Sequence, residues 1–385
     1  RIIWCFTCLS SFVGMFTVPF QAMYTAKQEI AELTVYGVVA TTFNAIFLYY
    51  MVSHPGFWLV KYSMWAAFVS VAPHLIIAVR AVVKYPECKF RVKYLYDKGR
   101  ITSLAKYAVA RFWSDFSSML SVQGQSLLVN KFMGVNYNAA MSIGSRVAGQ
   151  ALTLANSLSG AFWPAIANKC GENRPEEARM FSDVACRMGA VLVLVFALPL
   201  CVEIDEVLKL WLITPPDFSG WIVIAVLFRM CFLRMTDGYW MMILGTGKGV
   251  MAYSWTIGWA EIGLLLVSWI CFICGFNMWS IVAGYVFSTV TCVVVRLIYG
   301  RILLSMSVRH WILNVLLPTG VVASLSVIVA LCVRSMISPS LFRVVISTCL
   351  CEMIFLPSVW FFVLTPTERD IVAKRMVGGV KRFLS

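Results

Sequence analysis

A few polar and ionisable residues sit inside long apolar runs of this chain. Asp115, Gln123, Gln125 and Asn130 share one run, and Ser142, Arg146, Gln150, Thr153 and Ser157 share the next. Arg229, Arg234 and Asp237 lie in a third, and Glu261 in a fourth. An arginine or aspartate at the centre of a membrane helix costs roughly 2.5–3.5 kcal/mol on insertion scales, so each needs a partner or a use. Steps of three and four put the set from Ser142 to Ser157 on one helical face. A polar stripe with an arginine predicts a face turned toward other helices or a water-filled cavity, not lipid. The chemistry on offer is recognition: guanidiniums that bind an anionic headgroup, and carboxylates that pair or titrate.

Arg234 and Glu261 stand at similar depth when counted from the turn near Lys248. Glu261 is therefore expected to pair with Arg234, as a neighbour, or with Arg229. Such a pair either locks two helices or belongs to a lumen in which the carboxylate titrates. Asp237 lies one turn beyond Arg234 and joins the same group. Asp115 reads as a helix-start carboxylate near a basic segment or as a member of that set. None of the three histidines has a carboxylate or cysteine at catalytic or metal-ligand spacing. His74, next to Pro73, is a proton-responsive candidate. The 13 cysteines are scattered, without histidine company, and read as free buried thiols. Gly245-Thr246-Gly247-Lys248 lacks phosphate-loop spacing and reads as a turn. Nothing here points to an enzyme, a metal or a cofactor.

The elements that position these residues follow from composition. The 385 residues are 60% hydrophobic and 13% charged, where a soluble domain carries about 25% charge. Apolar runs of about 20 residues match the length that crosses a bilayer, and barrel strands would alternate over about 10. The fold class is an all-α polytopic membrane protein. About eleven spans are expected, near 1–23, 32–52, 58–80, 106–132, 138–167, 183–203, 219–244, 249–273, 277–299, 311–333 and 343–364. Basic residues collect in alternate loops: Lys27, the segment from Arg80 to Arg111, Lys169 to Arg187, Lys248, and Arg296, Arg301 and Arg309 around the end of the ninth span. That side is cytoplasmic by the positive-inside rule, and it includes the C-terminus. The net charge of +14 thus reflects topology and argues against nucleic acid as a partner. Lys61, Lys131, Arg334 and Arg343 are exceptions expected to snorkel from span ends.

Thr365-Pro366-Thr367-Glu368 is a capping box. It opens a segment in which Val372, Met376, Val380 and Phe383 or Leu384 give an apolar face beside basic residues, suited to an anionic inner leaflet. Asn173-Arg174-Pro175-Glu176 is a similar start. A weak repeat relates FQAMYTAKQEIAELTVYGVV to WMMILGTGKGVMAYSWTIGW, roughly 220 residues apart. The divisions expected from it are 1–105, the remainder of an N-terminal bundle with a basic connector; 106–300, a six-helix bundle; 301–364, two added spans; and 365–385, the tail. The chain opens on Arg1 directly into an apolar run and reads as lacking about three earlier helices, of about fourteen in all.

Residues 111–188 carry a resemblance. A basic segment precedes a helix with SxxxxQxQ (Ser118 to Gln125), followed by KFMGVNYNAAMSIGSRVAGQ and WPAIANKCGENRPEEARMF. This pattern, with PFQAMYTAKQE and LKLWL elsewhere, resembles the Wzx-type polysaccharide flippases of the multidrug/oligosaccharidyl-lipid/polysaccharide exporter superfamily. The likeness is spread over residues 1–300. It implies a MATE-like two-bundle fold in the inner membrane. It also implies movement of a lipid-diphosphate-linked oligosaccharide from the inner to the outer leaflet by alternating access. Membrane lipids and the polysaccharide polymerase machinery are the further partners implied. Arg146 and Gln150 alone fall on positions matching the family's lumen face. Arg229, Arg234, Gln123, Glu261, Asp115 and Asp237 rest on the residue argument. In that role arginines would offset desolvation of the diphosphate, and Gln, Asn, Ser and Thr would hydrogen-bond the sugars.

Three alternatives remain open. One is an ion-coupled small-molecule or drug antiporter on the same fold, against which a basic lumen argues for cationic drugs. Another is a lipid II flippase. The third is a membrane enzyme of polysaccharide assembly, which would need a long outer loop. The longest here, around Glu203–Gly220, is short.

Overall fold

The structure is a computed structural model. It describes residues 2–27, 29–53, 58–88, 98–212, 215–366 and 368–369. Among these, every regular element is helical. The chain forms two compact units, Arg1–Ile101 and Thr102–Ser385.

The first unit contains α1 (Ile2–Ala26), α2 (Ile30–Ser53) and α3 (Trp58–Lys84), then a short 3₁₀ turn at Pro86–Cys88. Helix α3 packs on both α1 and α2. The small core is Tyr24, Ile77, Ala81 and Tyr85, with the Tyr24 and Tyr85 rings edge to face at 5.2 Å. Charges cluster around that end. Lys84 pairs with Glu29 and Glu32, Arg80 with Glu32, and Lys27 with Glu87 at 3.1 Å. His74 meets the Gln21 amide at 2.8 Å across α3 and α1.

The second unit begins in α4 (Lys98–Phe132) and continues with α5 (Val135–Gly171), α6 (Pro175–Val202), the short α7 (Ile204–Leu212), α8 (Ser219–Arg234), α9 (Asp237–Thr246), α10 (Val250–Ile273) and α11 (Trp279–Leu304). One turn, α12 (Val308–Trp311), then precedes α13 (Leu317–Met336) and α14 (Leu341–Ser358). Helix α6 sits at the centre, packed against α5, α8, α9, α13 and α14. Its small residues permit this: Ala178, Ser182, Ala185, Gly189, Ala190 and Ala197 are all buried. Pro175 occupies its first turn, as the Asn-Arg-Pro-Glu pattern predicts.

Among the described residues eight helices are long and apolar enough to cross a membrane, or nine if the bent pair α8–α9 is one span. Helices α4 and α5 occupy the two other expected spans; they are 35 and 37 residues long but more polar. Large apolar side chains lie bare along these helices, among them Phe12, Val79, Met119, Trp259, Ile302 and Phe362. Water would not tolerate so much exposed apolar surface on one chain. This is a multi-pass helical membrane protein.

Three details depart from the sequence reading. The seventh span is not one helix. Arg343 does not snorkel: it is buried against Glu203, with Nε at 3.1 Å and Nη2 at 2.9 Å from the same carboxylate oxygen. Arg334 stays partly exposed and donates to the Val202 carbonyl and to Asp205. Arg334 meets the last carbonyl of α6, and Arg343 the buried Glu203 carboxylate just past it, a stronger attraction for that guanidinium than the interface. All described cysteines are free, but Cys186, Cys231, Cys292 and Cys351 alone among them are buried. One half of the capping box is seen, the Thr365 backbone N–H donating to Glu368 Oε2 at 2.8 Å. The amphipathic tail from Val372 to Leu384 lies outside the described residues, as does His54.

Candidate functional site

Helix α8 stops at Arg234 and α9 starts at Asp237, with a bend of 48° between them. A break inside a span frees backbone carbonyls that lipid cannot satisfy. Here side chains from α11 and α12 supply the donors. Arg296 Nη1 donates to the Leu233 carbonyl at 2.9 Å, and Trp311 Nε1 donates to the Met235 carbonyl at 2.8 Å. Thr236 turns its own hydroxyl back to the Leu233 carbonyl at 3.0 Å. Gly238 follows the break because α6 crosses there: a Cβ on it would overlap the Ser182 carbonyl. The other end of α9 closes on Gly247, whose φ of 67° suits the turn expected before Lys248.

Charge gathers at the break. Asp237 accepts from Arg296 Nη1 at 2.8 Å through one oxygen and from Arg234 Nη1 through the other. Arg234 also donates to Ser159 at 3.0 Å and to Asn156, both on α5. Two guanidiniums thus share one carboxylate, which leaves an excess positive charge. Both arginines are more than four-fifths buried. They open onto a cavity of about 440 Å³ that Asn156, Ser159, Trp163 and Trp240 also line. The Trp163 and Trp240 rings lie 5.4 Å apart, and the Arg296 guanidinium stands 5.9 Å from the Trp240 ring.

Below α9, Asp183 of α6 accepts from the Tyr239 hydroxyl at 2.9 Å and meets the His310 ring at 3.1 Å. Arg187, one turn further along α6, pairs with Glu368 while both are buried. The break is therefore clamped to α6, α11 and α12 at once.

Glu261 takes Arg229, not Arg234. Arg229 Nη2 lies 2.6 Å from Glu261 Oε2, and its Nη1 donates to Ser288 at 2.8 Å. Ser121 of α4 donates to the Glu261 backbone carbonyl at 2.7 Å. Arg229 thus sits in the seam of α8, α10 and α11, closed away from the cavity at the break. Depth counted from Lys248 assumed a straight helix. The break turns Arg234 toward α5 and leaves Arg229 facing α10.

The polar residues of α5 share one side: Ser142, Arg146, Gln150, Thr153 and Ser157 are all exposed, while Met141, Gly144, Ala148, Ala151 and Ala155 bury the opposite face. Arg146 and Gln150 line a second, larger cavity of about 1180 Å³, bounded also by α6, α7 and α14. Gln123 is exposed on α4; its neighbour Gln125 is the buried one, donating to Ser268 of α10 at 2.7 Å. Asp115 is exposed and pairs with Arg111 one turn earlier at 2.8 Å.

Arg296, Trp311, Asn156, Ser159, Trp163 and Trp240 join the site without standing among the residues expected from sequence. Arg296 falls near the expected end of the ninth span, yet it lies two turns inside α11. An arginine so far inside an apolar run was the available signal.

Fold and site define a helical multi-pass membrane protein with paired, buried charge at a broken span. No protein-family model matches the sequence, and comparison with curated proteins and with solved structures gives no match either.

Proposed function

We propose that this protein moves a lipid-diphosphate-linked oligosaccharide between the leaflets of the inner membrane. The reading includes a MATE-like pair of bundles, eleven spans in the present chain with α4 and α5 among them, and a cytoplasmic C-terminus. The observation that carries it is the pair Arg234 and Arg296 sharing Asp237 beside the cavity of about 440 Å³.

A diphosphate matches the forked donors of two arginines, and its charge fits their excess over Asp237. The cavity has the volume of a small-molecule site, roughly 300–1,000 Å³. Trp163 and Trp240 offer flat apolar faces to sugar rings, and Asn156 and Ser159 offer hydrogen bonds. Broken helices at mid-span are where transporters commonly build such sites. The stripe of Arg146 and Gln150 supplies a second polar surface on α5.

The test is a leaflet assay in proteoliposomes containing a lipid-diphosphate-linked oligosaccharide. Protein-dependent transfer is expected, and Arg234→Ala or Arg146→Ala should reduce it at unchanged protein level. Normal transfer by both variants would remove the arginines from the path. No transfer by the unaltered protein under several imposed ion gradients would favour a small-molecule antiporter.

A further inference from the structure

Five carboxylates along the second unit come with partners among the described residues. Asp183 has Tyr239 and His310, Glu203 has Arg343, Asp237 has two arginines, Glu261 has Arg229, and Asp115 has Arg111. Glu352 on α14 departs from this. Both of its carboxyl oxygens are buried, and neither meets a hydrogen-bond partner among the described residues.

Glu352 lines the cavity of about 1180 Å³ with Thr348 one turn before it, Gln150 and Arg146 across on α5, and Trp211 on α7. Among the described residues, Arg146 is the one other charged residue on that wall. The charges on the helices that pack against α14 are engaged elsewhere. On α6, Asp183 is bonded as above, Arg187 holds Glu368, Arg179 holds the Leu304 carbonyl, and Glu177 holds Lys169. Glu176 stands exposed at the far end. On α7, Asp205 has Arg334 of α13, and Glu206 has Lys209. On α14 itself, Arg343 is taken by Glu203.

A carboxylate whose oxygens are buried inside a membrane helix with no donor is far more costly than a neutral carboxyl. It calls for a cation. Two carboxyl oxygens, the Thr348 hydroxyl and the Gln150 amide are too few to replace the six or more oxygens a hard metal ion takes from its site and water. A proton needs one oxygen.

We propose that Glu352 is a proton-binding site of this cavity. It holds its proton in the arrangement seen here, where Arg146 stands across an open cavity. Closure of α5 onto α14 brings the Arg146 guanidinium to the carboxyl. The O–H bond then breaks, the proton leaves to water in the cavity, and the carboxylate pairs with the arginine. Opening reverses the exchange. As a means of driving transport this rests on the flippase reading; the proton on Glu352 does not.

Infrared spectroscopy on the full-length protein in lipid reads the proton directly. The C=O band of a protonated carboxyl is expected at neutral pH, shifted in heavy water and lost in Glu352→Gln, which has the shape of the neutral acid. Dicyclohexylcarbodiimide, which adds to protonated carboxyls in apolar settings, should modify Glu352, and less so as the buffer is made alkaline. An unchanged infrared band in Glu352→Gln would overturn the proposal. Protection from the carbodiimide by a sodium salt, but not by choline, would overturn it in favour of a metal ion. In the leaflet assay, Glu352→Gln should retain transfer and lose at least tenfold of its response to an imposed proton gradient. A Glu352 band without transfer by the unaltered protein would sink the flippase reading alone; transfer without the band would sink the proton site alone.

Discussion

Arg229 and Arg234 lie little more than a turn apart on α8 and do different work. Arg229 is enclosed with Glu261 and Ser288; Arg234 borders a cavity. Removing one member of a buried pair leaves an uncompensated charge, at about 3–5 kcal/mol, whereas removing both often costs little. Arg229→Leu should therefore lower the melting temperature in detergent sharply, and Arg229→Leu with Glu261→Leu should recover most of the loss. Equal melting of the single and double variants would contradict a buried pair. At the first unit's charged end, hydrogen bonds from Lys84 and then Tyr85 hold Glu29 below the usual carboxylate range. A carboxyl lowered on folding contributes stability above its unfolded pKa, and that contribution fades as pH falls through the folded value. Acidification from neutral to below about pH 4.5 should thus loosen this unit, and Glu29→Gln should flatten the dependence. Melting followed against pH checks it.

At the scale of elements, the break between α8 and α9 shapes the site. It stands because Arg296 and Trp311 serve its carbonyls and because Gly238 lets α6 approach. Trp311→Phe keeps an aromatic side chain, though a smaller one, and removes the donor to Met235, at about 1–3 kcal/mol for a buried carbonyl left unmet. Gly238→Ala must push α6 away and should be worse than Trp311→Phe in a thermal melt. If Gly238→Ala melts like the unaltered protein, the close crossing of α6 and α9 is not as described. The apolar periodicity that marks spans carried no sign of this bend, because a broken span keeps its composition. Met235-Thr236-Asp237 held the only hint: two polar residues after an arginine, where a continuous lipid-facing helix would have none.

At the scale of the molecule, α14 and the segment that follows it are fastened to α6 at two levels, one past its last turn and one near its middle. Arg343 and Glu203 form one fastening, and Arg187 with Glu368 the other. Both pairs are buried, so breaking either should cost about 3–5 kcal/mol. Arg343→Ala is expected to expose the α13–α14 connection to protease far sooner than Arg334→Ala, whose carboxylate partner Asp205 is exposed. Similar digestion of the two would argue that the fastening carries no weight.

Composition and apolar run length determined the helical membrane class, because crossing hydrocarbon imposes length and internal hydrogen bonding on every span. Periodicity determined the polar face of α5, since Ser142, Arg146, Gln150 and Thr153 must share a side once the segment is a helix. Pairing between helices was decided only in three dimensions. Which arginine meets Glu261, that Arg296 reaches Asp237, and that Glu352 meets no donor among the described residues all depend on one bend and on the rotation of each helix about its axis. Neither quantity is written in a pattern local to the chain, because both are set by how small residues such as Gly238 and Gly189 let neighbouring helices approach.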